Sequence, residues 1–281
     1  MEPGTIALDI DGTITDRSHL IPGEVAHFFE KLNKEGWEFI FVTGRPLSFA
    51  MRTLPKLTFP YLLGVQNGAD LLKMPGRKKV GRFYLDISIV KILDSLYEKE
   101  EGDFLVYSGF EKGDICYFRP EKFSQEMQTY LKKVETYSDA PWIPLKTFDI
   151  KEQTSFPLIK CFGTKKGMED FEKKLQEVGG LKTTLIKDPL SEHLYLILIT
   201  HSEADKGIAA LKLMDSHGLK RPLITGGDDN NDIPLLKVGD VRIAMEGAPE
   251  ELCSLADIIA PPGDKKGIIK GLEEAFKKLI P

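Results

Sequence analysis

The first apolar run, Thr5-Ile6-Ala7-Leu8, stops at a polar turn over residues 9–13. Residues 24–36 follow with helical spacing: Val25, Phe28, Phe29 and Leu32 share one face, and Gly36 stands where a C-cap belongs. Trp37 to Val42 is strand-like and ends in Thr43-Gly44-Arg45-Pro46. Tyr61 to Val65 is a third run, closed by Gln66-Asn67-Gly68. Strands alternating with helices of about a dozen residues predict a parallel sheet. After Gly76 the pattern changes. Residues 104–107 and 115–118 flank a polar turn and predict a hairpin. A helix over 120–136, a strand over 156–162, a helix over 166–178 and strands over 181–186 and 193–200 follow. This grouping predicts a smaller antiparallel sheet covered on one side. The alternating pattern then returns, with a helix over 207–217, strands over 222–225, 241–245 and 257–260, and an amphipathic helix from about Lys266. The fold class expected is α/β, a parallel-sheet core formed by residues 1–77 and 193–281 and interrupted by an α+β insert over 78–192.

Composition narrows the classes. The chain has 281 residues, and its 38 Lys and Arg against 43 Asp and Glu leave a net charge of −5. An acidic balance argues against a general nucleic-acid binder, because phosphate-backbone affinity needs clustered cations. The basic group Arg77-Lys78-Lys79 with Arg82 lacks interleaved aromatics. Lysine pairs at 132–133, 165–166, 173–174 and 277–278 fall on predicted helices and read as solvated faces. Three cysteines without a CxxC pair suit free thiols and exclude a cysteine-built zinc site. No signal-like segment and no apolar stretch of about 18 residues occurs, so the expected protein is soluble and cytoplasmic, with no membrane partner.

In doubly wound sheets, ligands bind beyond the carboxyl ends of the strands. Those positions hold Asp9, Asp11, Gly12 and Thr13, then Thr43, Gly44 and Arg45, then Gly227-Asp228-Asp229-Asn230-Asn231-Asp232, with Lys206 at the mouth of a helix. Each piece alone has a plain reading: an Asx-rich turn, a helix cap, a surface lysine. Neither acidic stretch is an EF-hand. The sixth position counted from Asp228 is Ile233 and the twelfth is Gly239, and the sixth from Asp9 is Ile14. In combination they point to chemistry. Two carboxylates about 5 Å apart repel by roughly 3 kcal/mol at an effective dielectric near 20. Gathering Asp9, Asp11, Asp228 and Asp232 in one cleft therefore calls for cations, of which Lys206 supplies one and Mg²⁺ suits the rest. Such a site fits phosphoryl transfer, with one carboxylate attacking phosphorus in line.

The segments Leu8-Asp9-Ile10-Asp11-Gly12-Thr13, Val42-Thr43-Gly44-Arg45, Asp205-Lys206-Gly207 and Gly227-Asp228-x-x-Asn231-Asp232 resemble, in order, the four motifs of the haloacid dehalogenase superfamily. The insert between the second and third, preceded by Gln66-Asn67-Gly68-Ala69, is similar to that of Cof-type (subfamily IIB) phosphatases. The resemblance covers residues 1–77 and 193–281 by motif and the insert by position and size. It implies a Rossmann-like core with a specificity cap. It also implies a Mg²⁺-dependent phosphatase that cleaves a phosphate monoester of a small metabolite, a sugar phosphate first, through an aspartyl-phosphate. By the same resemblance Asp9 is the nucleophile and Asp11 the acid/base. Thr43 bonds the phosphoryl group and Lys206 clamps its charge. Asp228 ligates Mg²⁺ with Asp9 and the backbone carbonyl of Asp11, while Asn231 and Asp232 support metal and lysine from behind. Gly44, Arg45, Asn67 and Asn231 belong to the phosphate pocket, and for Arg45 a purely structural ion pair stands as an equal reading. Asp229 departs from the small residue more usual in the family, and its role stays open.

Two other readings share these residues. A phosphomutase would use the same aspartate pair and retain the phosphoryl group, so an isomerised ester rather than inorganic phosphate would mark it. A non-catalytic phospho-ligand-binding protein would bind without turnover, but receiver-like domains of that kind are usually about half this length and lack an insert. A P-type ATPase-like domain is disfavoured by Asp11 and by the missing membrane spans.

Overall fold

The computed structural model describes residues 2–98, 102–137, 140–150, 153–188 and 190–280. They form two compact units. The first is built from three chain segments, one ending at Arg45, one running from Ala50 to Arg82 and one starting at Asp205. The second comprises Pro46–Phe49 and Phe83–Ala204.

In chain order the first unit opens with β1 (Thr5–Leu8), α1 (Gly23–Lys34), β2 (Glu38–Val42), α2 (Leu47–Thr53), β3 (Tyr61–Val65), β4 (Asp70–Met74) and β5 (Lys78–Arg82). The second unit carries β6 (Leu85–Asp86), α3 (Ser88–Tyr97), β7 (Phe104–Tyr107), β8 (Cys116–Phe118), α4 (Gln125–Glu135) and β9 (Trp142–Pro144). It continues through β10 (Ser155–Phe156), β11 (Leu158–Gly163), α5 (Lys165–Gln176), β12 (Leu181–Lys187) and β13 (Tyr195–His201). The chain then re-enters the first unit with α6 (Lys206–His217), β14 (Leu223–Gly227), α7 (Ile233–Val238), β15 (Val241–Met245), α8 (Glu250–Leu255), β16 (Ile258–Ala260) and α9 (Gly267–Lys278).

The first unit's sheet runs β16-β15-β14-β1-β2-β3-β4-β5, parallel from β16 to β3 and antiparallel over the last two pairings. β1 and β3 are buried throughout, as a parallel strand covered on both faces requires. Phe39 and Phe41 of β2 meet Phe29 of α1 at ring separations of 5.1 and 5.9 Å, joining helix to sheet. A buried phenylalanine of this kind contributes about 2–3 kcal/mol. The polar turns predicted after β1, β2, β3 and β14 all lie at the carboxyl edge of this sheet, which brings the candidate residues together.

The second unit's sheet runs β12-β13-β11-β7-β8-β9. It corrects the sequence reading twice. β8 and β9 pair in parallel, so the sheet is mixed. Both faces also carry helices. Phe104, Val106, Ile159, Cys161, Ile197 and Ile199 pack against α3 and α5, while Leu105, Tyr107, Leu158, Phe162, Leu196 and Leu198 cluster with Leu131, Met127 and Tyr130 of α4. Strand alternation sorts these two sets.

The expected boundaries at 77/78 and 192/193 also move. Residues 78–82 hydrogen-bond to β4 as the edge of the large sheet, and β13 lies between β12 and β11 of the small one. Hydrogen-bond pairing decides both cases, and pairing is not written in local periodicity. Residue 189, between β12 and β13, lies outside the described residues. Among the described residues no helix is long and apolar enough to cross a membrane.

Candidate active site

Asp9 follows β1 and is 3% exposed. Its Oδ1 accepts from the Lys206 ammonium at 2.6 Å, and the same ammonium donates to Asp232 Oδ1 at 2.5 Å. Lys206 is the first residue of α6, whose N-cap is Asp205, accepting from the Ile208 amide at 2.7 Å. Gly207 lets that end of α6 approach closely: a Cβ there would stand 2.3 Å from the Pro234 carbonyl oxygen. The lysine is therefore fixed by its cap and by a tight helix contact, and is 2% exposed.

Asp228 follows β14. Its Oδ1 accepts from the Thr13 hydroxyl at 3.2 Å. Gly12 sits directly beneath, with φ of +71°, where a Cβ would come within 2.1 Å of Asp228 Oδ2. Only glycine meets both demands at once. Oxygen atoms of Asp9, Asp228 and Asp232 lie within 4.8 Å of one another. Both oxygens of Asp232 are committed: Oδ1 to Lys206, and Oδ2 to the amides of Asp228 and Asp229 at 2.9 and 3.1 Å. Asp229 caps the turn that follows, its Oδ1 accepting from the Asn230 amide at 2.7 Å. That gives the unusual aspartate a structural task.

The electrostatics are those of a site short of positive charge. Burial first, and then the Asp232 carboxylate, push Asp9 up to about 8 against the pull of Lys206. Burial and the charges of Asp9 and Asp232 hold Asp228 well above the ordinary carboxylate range. Burial works against the charged form of Lys206, but Asp232 and Asp9 outweigh it and raise its pKa. Hard oxygen donors with more negative charge than one lysine can balance fit a divalent cation such as Mg²⁺. Asp9 and Asp228 are the residues suited to hold it.

Asp11 turns elsewhere. Its carboxylate makes a two-pronged ion pair with Arg45, at 2.5 Å from Nε to Oδ2 and through Nη2 to Oδ1, and His19 Nδ1 stands 3.4 Å from Oδ1. Burial would raise its pKa, but the hydrogen bond from His19 and the Arg45 guanidinium outweigh that and lower it. The Asp11 side chain is thus outside the three-carboxylate cluster. Arg45 Nη1 also donates to Thr53 Oγ1, which itself donates to the His19 carbonyl at 2.8 Å. His19 and Thr53 escaped the sequence reading. The one local signal for His19 is Asp16-Arg17-Ser18, where Asp16 Oδ1 accepts from the Ser18 amide and shapes the turn.

Thr43, fully buried after β2, accepts from the Arg45 amide at 3.1 Å, which leaves its hydroxyl hydrogen to be donated elsewhere. Asn231 Nδ2 donates to Asn67 Oδ1 at 3.2 Å, and a Cβ on Gly44 would lie 3.3 Å from the same oxygen. Gly44, Asn67 and Asn231 therefore converge. All ten predicted site residues lie at one edge of the sheet: nine are divided among the aspartate–lysine cluster, the Asp11–Arg45 pair and this amide group, and Thr43 sits against the Arg45 amide.

The family model of haloacid dehalogenase-like hydrolases matches residues 6–272 of the chain. A phosphoglycolate phosphatase of Archaeoglobus fulgidus is 24% identical over 275 residues, covering 97% of this chain and 96% of that protein. A 5-amino-6-(5-phospho-D-ribitylamino)uracil phosphatase of Bacillus subtilis, YitU, is 22% identical over 286 residues, covering 98% of each. Among solved structures, a haloacid dehalogenase-like hydrolase from Bacteroides thetaiotaomicron superposes with a TM-score of 0.77 at 19% identity, over 98% of this chain and all of that one.

Proposed function

The chain belongs to the haloacid dehalogenase-like hydrolases, and from that premise we propose that it is a Mg²⁺-dependent phosphatase acting on a phosphate monoester of a small metabolite, a sugar phosphate first. Relatives named as phosphatases along nearly their whole length support the reaction class. The observation that carries the reading is the convergence of Asp9, Asp228 and Asp232 around the Lys206 ammonium.

In the proposed reaction an Asp9 oxygen attacks phosphorus in line, the bond to the ester oxygen breaks, and the leaving alkoxide takes a proton from Asp11. Water then attacks the aspartyl-phosphate and gives its proton to Asp11. The bond from phosphorus to Asp9 breaks, phosphate leaves, and the carboxylate is restored. Lys206 and the Thr43 hydroxyl hold the equatorial oxygens, with Asn67 and Asn231 at the pocket wall. Asp232 holds Lys206 in place. Asp9, Asp228 and the Asp11 carbonyl would hold Mg²⁺, which when bound neutralises charge on the transferring group. Arg45 keeps Asp11 ionised, the form the second step needs. To act as the acid in the first step, Asp11 must be released from that pair.

Asp9→Asn tests the assignment. Phosphate release from a panel of phosphorylated metabolites should fall to background while circular dichroism stays native and unfolding stays cooperative. Turnover surviving in this variant would remove Asp9 from the nucleophile's role. EDTA should silence the wild-type chain and Mg²⁺ should restore it.

A further inference from the structure

The chain between β16 and α9, residues 261–267, forms a strap against the loop that carries Asp9 and Asp11, and both lie within the first unit. The ends of the strap are fixed. β16 pairs with β15, and α9 buries Ile268, Leu272 and Ala275 completely. Its middle is a tight turn, in which the amides of Lys265 and Lys266 donate to the carbonyls of Pro262 and Gly263 at 2.9 and 2.8 Å.

Gly263 meets the aspartate loop with its backbone. A Cβ there would lie 2.3 Å from the Gly12 carbonyl oxygen, 2.8 Å from the carbonyl carbon and 3.0 Å from the Thr15 carbonyl oxygen. The conformation of residue 263 does not itself ask for glycine. Its φ lies outside the left-handed region, and alanine suits a short helical turn better. The missing side chain is explained by what stands against it. Gly12 is accordingly walled on two sides, by Gly263 at its carbonyl and by the Asp228 carboxylate at its α-carbon. Two ion pairs continue the contact in the same order along both segments. Arg17 Nε donates to Asp264 Oδ2 at 2.6 Å, and Lys266 Nζ donates to Glu24 Oε1 at 2.5 Å. Lys266 does so from a left-handed backbone, with φ of +60°. The strap thus meets residues 12–24 at three successive points.

We propose that this strap is a positioning element for the Asp11–Gly12 peptide, with Gly263 as its positioning residue, and that it sets the affinity of the acidic cluster for its divalent cation. The reason is steric. The Asp11 carbonyl belongs to that peptide, and Mg²⁺ demands near-ideal geometry at about 2.0–2.1 Å, so a small displacement that the fold absorbs is one the ion does not. The inference rests on the Mg²⁺ placement of the proposed function and not on which ester is cleaved.

Titration calorimetry with Mg²⁺ alone reads the effect without turnover. Gly263→Ala should weaken Mg²⁺ binding about tenfold, the low end of what changes behind a metal site cost. The Mg²⁺ concentration at which the melting temperature starts to rise should climb by the same factor. Should that variant not fold, the Arg17–Asp264 pair decides. Arg17→Glu adds negative charge, which by itself attracts a cation, yet by setting two carboxylates against each other it should weaken Mg²⁺ about threefold. Combining Arg17→Glu with Asp264→Arg should restore the parent affinity. A strap that only stabilises the fold lowers melting temperatures in EDTA and leaves Mg²⁺ affinity unchanged in both variants, and that result overturns the proposal. If the wild-type chain takes up no Mg²⁺, or Asp228→Asn leaves its uptake intact, the metal reading fails and the proposal fails with it. Shifted affinities in a chain that hydrolyses no phosphate ester support the strap and sink the phosphatase reading alone.

Discussion

Asp9 and Asp228 lie close together, and among the described residues Lys206 supplies the ammonium beside them; their stability effects follow from that. A carboxyl whose folded pKa is raised binds a proton that the unfolded chain has already lost, so stability declines as pH rises between the two values. For Asp9 that window runs from the ordinary value of 3.8 to about 8. With metal removed by EDTA, the melting temperature should fall between pH 5 and pH 8, and Asp9→Asn should flatten the fall. Asp11 acts in the opposite sense. Its lowered pKa contributes stability above the usual carboxylate range that is lost on acidification. A metal-free melting temperature that climbs from pH 5 to pH 8 would contradict the raised Asp9. At this scale the sequence spoke clearly where residue type and strand end coincide, as for Asp9, Thr43, Lys206 and Asp228. It was silent on partners chosen in three dimensions: Arg45 reaching Asp11, His19 beside it, and Asp229 spent on a turn.

Elements were legible where they are long, apolar and buried. β1, β2, β3 and β15 fall within a residue of their predicted runs, because a parallel strand covered on both faces must be continuously apolar. β4 and β5 were not seen. β5 reads Lys78-Lys79-Val80-Gly81-Arg82 and is largely exposed, a charged edge strand whose lysines discourage further pairing. The basic group, which the sequence already disfavoured as a nucleic-acid patch, thus has a role in guarding the sheet. The α6–α7 contact gives this scale its prediction. Gly207→Ala forces a methyl toward the Pro234 carbonyl and should displace the start of α6, at a cost of about 1–3 kcal/mol. Because Lys206 is carried by that turn, kcat should drop with stability. A variant as stable as the parent with unchanged kcat would show that the helix end is not what positions the lysine.

At the scale of the molecule, the cation proposed for the acidic cluster should stabilise the first unit. A ligand that binds only the folded state at a hundred times its Kd adds about 2.7 kcal/mol. In a unit of this size that raises the melting temperature by about 5–10 °C. Saturating Mg²⁺ should produce that rise in the wild-type chain and a much smaller one in Asp228→Asn. Equal shifts in both would place the ion somewhere else. The order of synthesis adds a consequence of its own. Thr5 pairs with Leu223, so the centre of the large sheet joins the two sides of a long interruption. At about 5–20 residues per second, a nascent β1 waits roughly 10–40 s on the ribosome for the strand that completes its neighbourhood. Through that interval Ile6, Leu8, Phe39 and Phe41 have no finished core to enter, so cellular yield should be more sensitive to translation speed and chaperone supply than to the final stability of the folded enzyme.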